Sequence, residues 1–347
     1  MSYHDLKSYN YLEDDLSHCS LCEWECGVDR LDGEVGVCGI TLPEVASSQL
    51  HPAPPASFDA FMTGCNFRCL FCQNWLISTY PANSAAVERG VEGYYEPRSW
   101  AELGVANLNS AYAKAMNADR LFFTGGEPTC SLPWVEAVVE HARGIDKTIK
   151  VNYDTNGYMT KKSLGRVLAI ATSITYDIKA YDEKLFRALT GAEVEPVLRN
   201  AEYIGKHAKD KLWEFRVMVI PGVHEQDVDG LTSFIAGIDP VLPVNFLAFR
   251  PNFVMEKHPG ASRKLMGLCV ETAEKNGLEN VTWSGQIGIK GDVPTGVKDR
   301  MKESDAVELV TAYASEYGCV SPQERQCGQC KKINDCKIKK YQPSSIY

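Results

Sequence analysis

Short apolar runs alternate with longer amphipathic stretches along most of the chain, and that alternation predicts repeated strand–helix units around a parallel sheet. Strands are expected at residues 60–63, 120–124, 149–153, 174–178, 213–220 and 245–249, with helices at 100–116, 132–143, 161–169, 197–206, 227–236 and 262–275. Glycine and proline punctuate the element ends, as in Gly125-Gly126, Pro221-Gly222 and Pro259-Gly260. Too few residues separate the first and last strand for a closed eightfold barrel, so the expected fold class is α/β, a partial (β/α)6 barrel. Residues 49–57 contain Pro52, Pro54 and Pro55 and read as a linker. Three regions follow: an N-terminal module and linker over 1–57, the barrel over 58–250, and a C-terminal region over 251–347.

Composition narrows the function classes. The 347 residues are 44% hydrophobic and 23% charged, as in ordinary globular proteins, and no apolar run approaches the length needed to span a bilayer. A formal net charge of −9 disfavours nucleic acid, whose binding rests on phosphate neutralisation, and leaves a small molecule or a protein as the expected substrate. Met1-Ser2-Tyr3-His4-Asp5 lacks the basic and apolar regions of a signal peptide. A reducing cytoplasm is therefore expected, where cysteines serve as ligands more than as disulfides.

The 13 cysteines fall into three groups. The central one, Cys65-Asn66-Phe67-Arg68-Cys69-Leu70-Phe71-Cys72, places three thiolates within eight residues, directly after an expected strand. Three thiolates can hold a cubane 4Fe-4S cluster by three corners, and the fourth iron then stays open to a cofactor. Cys19, Cys22, Cys26 and Cys38 form a second group, and Cys319, Cys327, Cys330 and Cys336 a third. Each supplies four thiolates, a full set for zinc, mononuclear iron or a closed cluster. Cys130 and Cys269 stand apart, and core packing is the default for Cys130.

The Cys-x3-Cys-x2-Cys spacing, with aromatic Phe71 before the last cysteine, resembles the radical S-adenosylmethionine (SAM) superfamily. That resemblance implies a 4Fe-4S cluster on Cys65, Cys69 and Cys72, SAM chelated at the open iron, an external reducing electron donor, and hydrogen abstraction by a 5′-deoxyadenosyl radical. Thr124-Gly125-Gly126-Glu127-Pro128 follows the second strand, where the glycines permit close backbone approach and Glu127 offers a carboxylate to an amine. In the superfamily this turn holds the SAM amino group, which assigns Gly125, Gly126 and Glu127 to cofactor binding. Asp154-Thr155-Asn156-Gly157 and Asp177-Ile178-Lys179 are similar to segments of pyruvate formate-lyase-activating enzymes that surround the SAM methionine moiety and a monovalent cation. Asp154, Thr155, Asp177 and Lys179 inherit that role, although an Asp177–Lys179 pair also reads as a solvated rim contact. Arg216 is assigned either to the SAM carboxylate or to an ion pair with Glu214 or a helix residue. Arg250 stands where activating enzymes often carry a ribose-contacting histidine, and it is assigned to that contact or to the substrate.

A cysteine module before the barrel and a cysteine-rich tail after it resemble the methanogen enzymes that C-methylate methyl-coenzyme M reductase, the glutamine C-methyltransferases most of all. That resemblance implies cobalamin as a further cofactor and a protein substrate. The Asp-x-His-x-x-Gly cobalamin fingerprint is absent, so the corrinoid would sit against 251–296, where His258 and Trp283 lie. Two other readings remain, an activase for a glycyl-radical enzyme and a non-enzymatic iron–sulfur carrier. A carrier has no need of Glu127, Asp154 and Lys179 at one barrel mouth.

Overall fold

A computed structural model of the chain describes residues 10–303 and 305–344. The chain forms two compact units, Met1–Asn66 with Leu76–Ile174 and Phe67–Trp75 with Thr175–Tyr347. This division differs from the boundaries expected after residues 57 and 250. Residues 1–5, on which the reading of the N-terminus rests, lie outside the described residues.

In the first unit β1 (Val45–His51) runs antiparallel to β2 (Ser57–Met62), with His51 opposite Ser57. Parallel pairing then joins β2 to β3 (Arg120–Gly125) and β3 to β4 (Lys150–Thr155), with Phe58 opposite Leu121 and Leu121 opposite Val151. β2 is buried at five of its six positions, as expected of a strand covered on both faces. β1 corrects the linker reading of 49–57: Gln49, Leu50 and His51 pair in the sheet. The prolines fall in the loop between β1 and β2, where a missing N–H breaks no ladder bond.

Helices α1 (Pro97–Leu108), α2 (Leu132–Ile145) and α3 (Lys161–Ile170) belong to this unit. The helix expected over 100–116 breaks after Leu108, because the Ser110 hydroxyl accepts from Ala113 N at 3.1 Å and caps a separate turn, Ala111–Ala115. Trp100 of α1 lies 5.7 Å from Trp134 of α2 and 5.6 Å from Phe123 of β3, ring centre to ring centre. Burial of these large rings welds the helices to the sheet.

The second unit takes up the end of β5 (Ser173–Asp177) and carries β6 (Leu212–Val219), β7 (Val244–Ala248) and β8 (Val281–Ser284), of which β6, β7 and β8 pair in parallel. Its helices are α4 (Glu183–Thr190), α5 (Glu195–His207), α6 (Asp227–Ile238), α7 (Arg263–Lys275) and α8 (Ala306–Glu316). The α/β class is as expected, with eight strands among the described residues where the apolar pattern predicts six. β8 escapes that reading because two of its four residues are exposed and the other two only half-buried. The periodicity also misses α4, which at eight residues is shorter than the stretch over which a helical period is read. Asp182 accepts from Leu185 N at 2.9 Å, and Gly191 ends the helix in the left-handed region at φ 80°.

Candidate cofactor site

The turn after β3 is built by close backbone approach. Gly125 has φ 112°, Gly126 N donates to Met62 O at 2.8 Å, and Glu127 N donates to Gly64 O at 3.0 Å. Glu127 itself is buried. Its Oε1 accepts from Thr129 N at 3.0 Å, Thr129 Oγ1 at 2.6 Å and Thr155 Oγ1 at 2.8 Å, and its Oε2 accepts from Asn156 N at 2.8 Å. The carboxylate is thus spent inside the protein, tying the β3 turn to the end of β4. This departs from the expectation of a carboxylate offered to an amine. Burial raises the Glu127 carboxyl, opposed by those four donors.

Asp154 and Thr155 close β4. Thr124 Oγ1 donates to Asp154 Oδ2 at 2.6 Å, while Thr155 is committed to Glu127. The next residue, Asn156, sends its amide to Asn66 Oδ1 at 2.7 Å and toward Cys65 Sγ at 3.8 Å, and Asn66 Nδ2 donates to Tyr158 O at 3.1 Å. Sequence reasoning named no role for Asn66 or Asn156. Their only signal is position, one beside Cys65 and the other in a strand-end Asp-Thr-Asn-Gly turn.

The N-terminal cysteine module is stitched into the same unit. Cys65 N donates to Cys38 O at 3.2 Å, Cys22 forms a bridge with Met159, and Trp24 Nε1 donates to Asn66 O at 2.8 Å. Cys19, Cys22, Cys26 and Cys38 are electrostatic neighbours. Burial and then the charges of Cys38, Cys26 and Cys19 push the Cys22 thiol well up, and burial with Cys38 and Cys19 raises Cys26. The fully buried Arg30 places Nη1 3.9 Å from Cys19 Sγ and 2.7 Å from Cys130 O. The Arg30 charge acts on Cys38, Cys19 and Cys130, and binding a cation would relieve the repulsion among the neighbouring thiols. Cys130 joins this cluster through Cys38 and Ile40. Among the described residues, no three His, Cys, Asp or Glu side chains are gathered around a point suited to a single ion.

In the second unit the segment holding Cys69, Phe71 and Cys72 is pinned to the C-terminus of α4. Arg68 N donates to Thr190 O at 2.8 Å and Leu70 N to Leu189 O at 3.2 Å. Phe67 packs edge-on to Phe186 at 5.6 Å, and Phe71 is buried. Asp177 of β5 accepts from Lys179 Nζ and from Arg216 Nε of β6, each at 2.6 Å. Both side chains of the Asp177–Lys179 pair are more than four-fifths buried, which corrects the reading of a solvated rim contact. Burial works to raise the Asp177 carboxyl, but the Arg216 and Lys179 charges outweigh it and bring it down to about 2. One carboxylate held between two cations leaves a net positive charge, suited to an anionic group of a ligand. Arg216 thus pairs with Asp177, a partner on the neighbouring segment that the sequence did not offer. Arg250 follows β7 and is exposed.

The C-terminal cysteines show the same electrostatic signature. Burial raises the Cys327 thiol, Arg325 and Arg68 lower it, and Cys336 and Cys319 raise it further. His258 sits buried with Nδ1 3.1 Å from the Tyr313 hydroxyl and Nε2 2.8 Å from Pro221 O. Both ring nitrogens are occupied, so it is a structural hydrogen-bonder. Trp283 stacks under Arg263, whose guanidinium carbon is 5.5 Å from the ring centre.

Parallel strands ending in glycine turns, with buried charge and clustered cysteines beside them, define the chain as an α/β protein of the parallel-sheet class. The family model described as the radical SAM superfamily matches residues 60–235, and the chain belongs to that superfamily. An uncharacterized protein of Methanocaldococcus jannaschii is 25% identical over 276 residues, which cover 76% of each chain. A second protein of that organism, provisionally named a glycyl-radical enzyme activating enzyme, is 23% identical over 201 residues, covering 56% of this chain and 69% of that one. The (2S)-3-sulfopropanediol sulfolyase activating enzyme of Bilophila wadsworthia is 26% identical over 117 residues, covering 33% and 38%. Among solved structures, a domain of a pyruvate-formate lyase-activating enzyme from Bacteroides vulgatus is similar at TM-score 0.41 and 19% identity, covering 48% of this chain and 100% of that one. No helix of the described residues is long and apolar enough to cross a membrane.

Proposed function

We propose that the chain is a radical SAM enzyme that removes a hydrogen atom from an unactivated carbon of a protein or peptide substrate. The Cys65, Cys69 and Cys72 loop carries this reading, because three thiolates and no fourth in the loop suit a cluster with one open corner. When bound, that cluster supplies the electron that cleaves the SAM sulfonium bond and releases the 5′-deoxyadenosyl radical. The chain's own residues prepare the site. In one unit Asn156 directs an amide at Cys65 and the Gly125-Gly126 turn is the motif assigned to the SAM amino group; in the other, Asp177, Lys179 and Arg216 form a buried charged set suited to an anionic group.

Activation of a glycyl-radical enzyme is favoured by the names of two relatives. Cobalamin-dependent C-methylation of a glutamine in methyl-coenzyme M reductase is the narrower reading, and it rests on the paired cysteine modules. A corrinoid would have to be held without His258, whose nitrogens are engaged. In anaerobically prepared protein, SAM should yield 5′-deoxyadenosine and methionine, and Cys69→Ala should abolish both. Normal turnover in that variant would overturn the proposal. An activase leaves an EPR-visible radical on its partner and needs no cobalt, whereas a methylase carries cobalt and adds a methyl mass to a peptide.

A further inference from the structure

One helix end receives two cysteine loops. The last carbonyls of α4 accept from Leu70 N at Leu189 O and from Arg68 N at Thr190 O, both beside Cys69, and Gly191 O accepts from Cys327 N at 2.8 Å. Gly191 is in the left-handed region, and a Cβ there would lie 2.3 Å from Cys327 Sγ and 3.7 Å from Arg325 Nη2. Arg325 is 3% exposed. It donates through Nη1 to Ala188 O and through Nη2 to Arg68 O at 2.6 Å, the carbonyl of the peptide that leads into Cys69. Its Nε is buried without a hydrogen-bond partner, and among the described residues no carboxylate pairs with it.

A buried guanidinium without a carboxylate is costly unless other anions balance it. The groups that feel its charge are the Cys69 and Cys327 thiols. Its hydrogen bond to Ala188 O at the negative end of α4 offsets part of the cost, but this carbonyl and that of Arg68, both neutral, do not neutralise a full charge. An orphaned N–H and a missing counter-anion fit cysteines that are thiolates in the working protein, as metal ligands are.

We propose that Arg325 is a positioning and tuning residue that links the tail to the central cysteine loop. It anchors Cys327 and the peptide before Cys69 on one helix end, and its fixed positive charge favours the reduced, more anionic state of whatever cluster Cys69 ligates. This inference rests on the functional reading above. Replacing Arg325 by a neutral residue should therefore make that cluster harder to reduce, while leaving its three ligands in place.

The test is a potentiometric EPR titration of the reconstituted full-length protein, with iron and sulfide assayed in parallel. Arg325→Gln should hold its central cluster yet show at least a tenfold smaller reduced fraction at fixed applied potential, a fall of about 59 mV for one electron. Arg325→Lys keeps the charge and should restore most of the shift. Cys327→Ala removes negative charge from the opposite side of the guanidinium and should move the midpoint upward, so general loosening of the tail cannot imitate the pattern. An unchanged midpoint in Arg325→Gln at full iron content, or a downward shift in Cys327→Ala, would overturn the inference. If Arg325→Gln does not fold, the lysine and Cys327 variants still decide it. Failure of the wild-type protein to assemble any cluster would instead count against the functional reading itself.

Discussion

Gly126→Ala asks whether the turn after β3 depends on backbone contact that no side chain can relieve. The added Cβ would stand 1.7 Å from Gly64 O and 2.6 Å from Gly64 C, whereas real Cβ atoms essentially never come within 3.0 Å of such a neighbour. Both atoms are backbone, so the turn itself must retreat by more than an ångström. That retreat breaks the Gly126 N to Met62 O and Glu127 N to Gly64 O hydrogen bonds, each worth about 1 kcal/mol net. Overpacking adds roughly 1–3 kcal/mol. A total of about 4 kcal/mol, at ~2.1 cal/mol/K of unfolding entropy per residue, lowers the melting temperature by about 5 °C. Differential scanning calorimetry measures this, and isothermal calorimetry on anaerobic protein should show weakened SAM binding as the Gly125–Gly126 backbone shifts. A variant with unchanged melting temperature and SAM affinity would refute the argument. Gly144→Ala and Gly165→Ala are the matched controls: both glycines lie in helices with nothing within 4 Å of an added Cβ, and each change should stabilise by about 0.5–1 kcal/mol.

Further expectations follow from buried charge. The folded Asp177 carboxyl is depressed to about 2, so its contribution is complete above the unfolded value near 4 and disappears as pH falls toward 2. Wild type should lose about 2 kcal/mol over that window that Asp177→Asn does not lose, read from urea midpoints at each pH. Asp59 has the opposite sign. Burial raises it to about 7, so stability declines as pH climbs from about 4 through 7, and Asp59→Asn should gain up to about 4 kcal/mol at pH 8 but little at pH 4. Equal gains at both pH values would show that the carboxyl does not titrate there. Arg166 grips Asp15 through Nη1 at 2.8 Å and Nη2 at 2.7 Å, and it meets Glu136 at 2.9 Å through Nε. Arg166→Met should cost about 1–3 kcal/mol and speed proteolysis ahead of Cys19, where an unchanged cleavage rate would count against the clamp.

Chemistry-bearing residues were legible where the physics is local. Cys65, Cys69 and Cys72 are within eight residues, so the sequence alone offers them as a candidate ligand set, and the strand–helix alternation reports burial along each element. Asp177 and Lys179 were likewise readable as a pair, being two residues apart. The tertiary structure decided the rest, because the partners are remote in sequence. Arg325 donates to a carbonyl 257 positions away, Arg30 to one 100 positions away, and the Glu127 carboxylate is consumed by the end of β4. Motif reading assigns a carboxylate by its charge, but hydrogen-bond saturation in a buried site decides whether that charge is still available to a ligand. The same limit hid α4, whose eight residues are too few for a helical period to be read along the sequence and whose importance lies in the carbonyls at its end. No local signal reports which donors will converge on a helix terminus; only the packed chain supplies them.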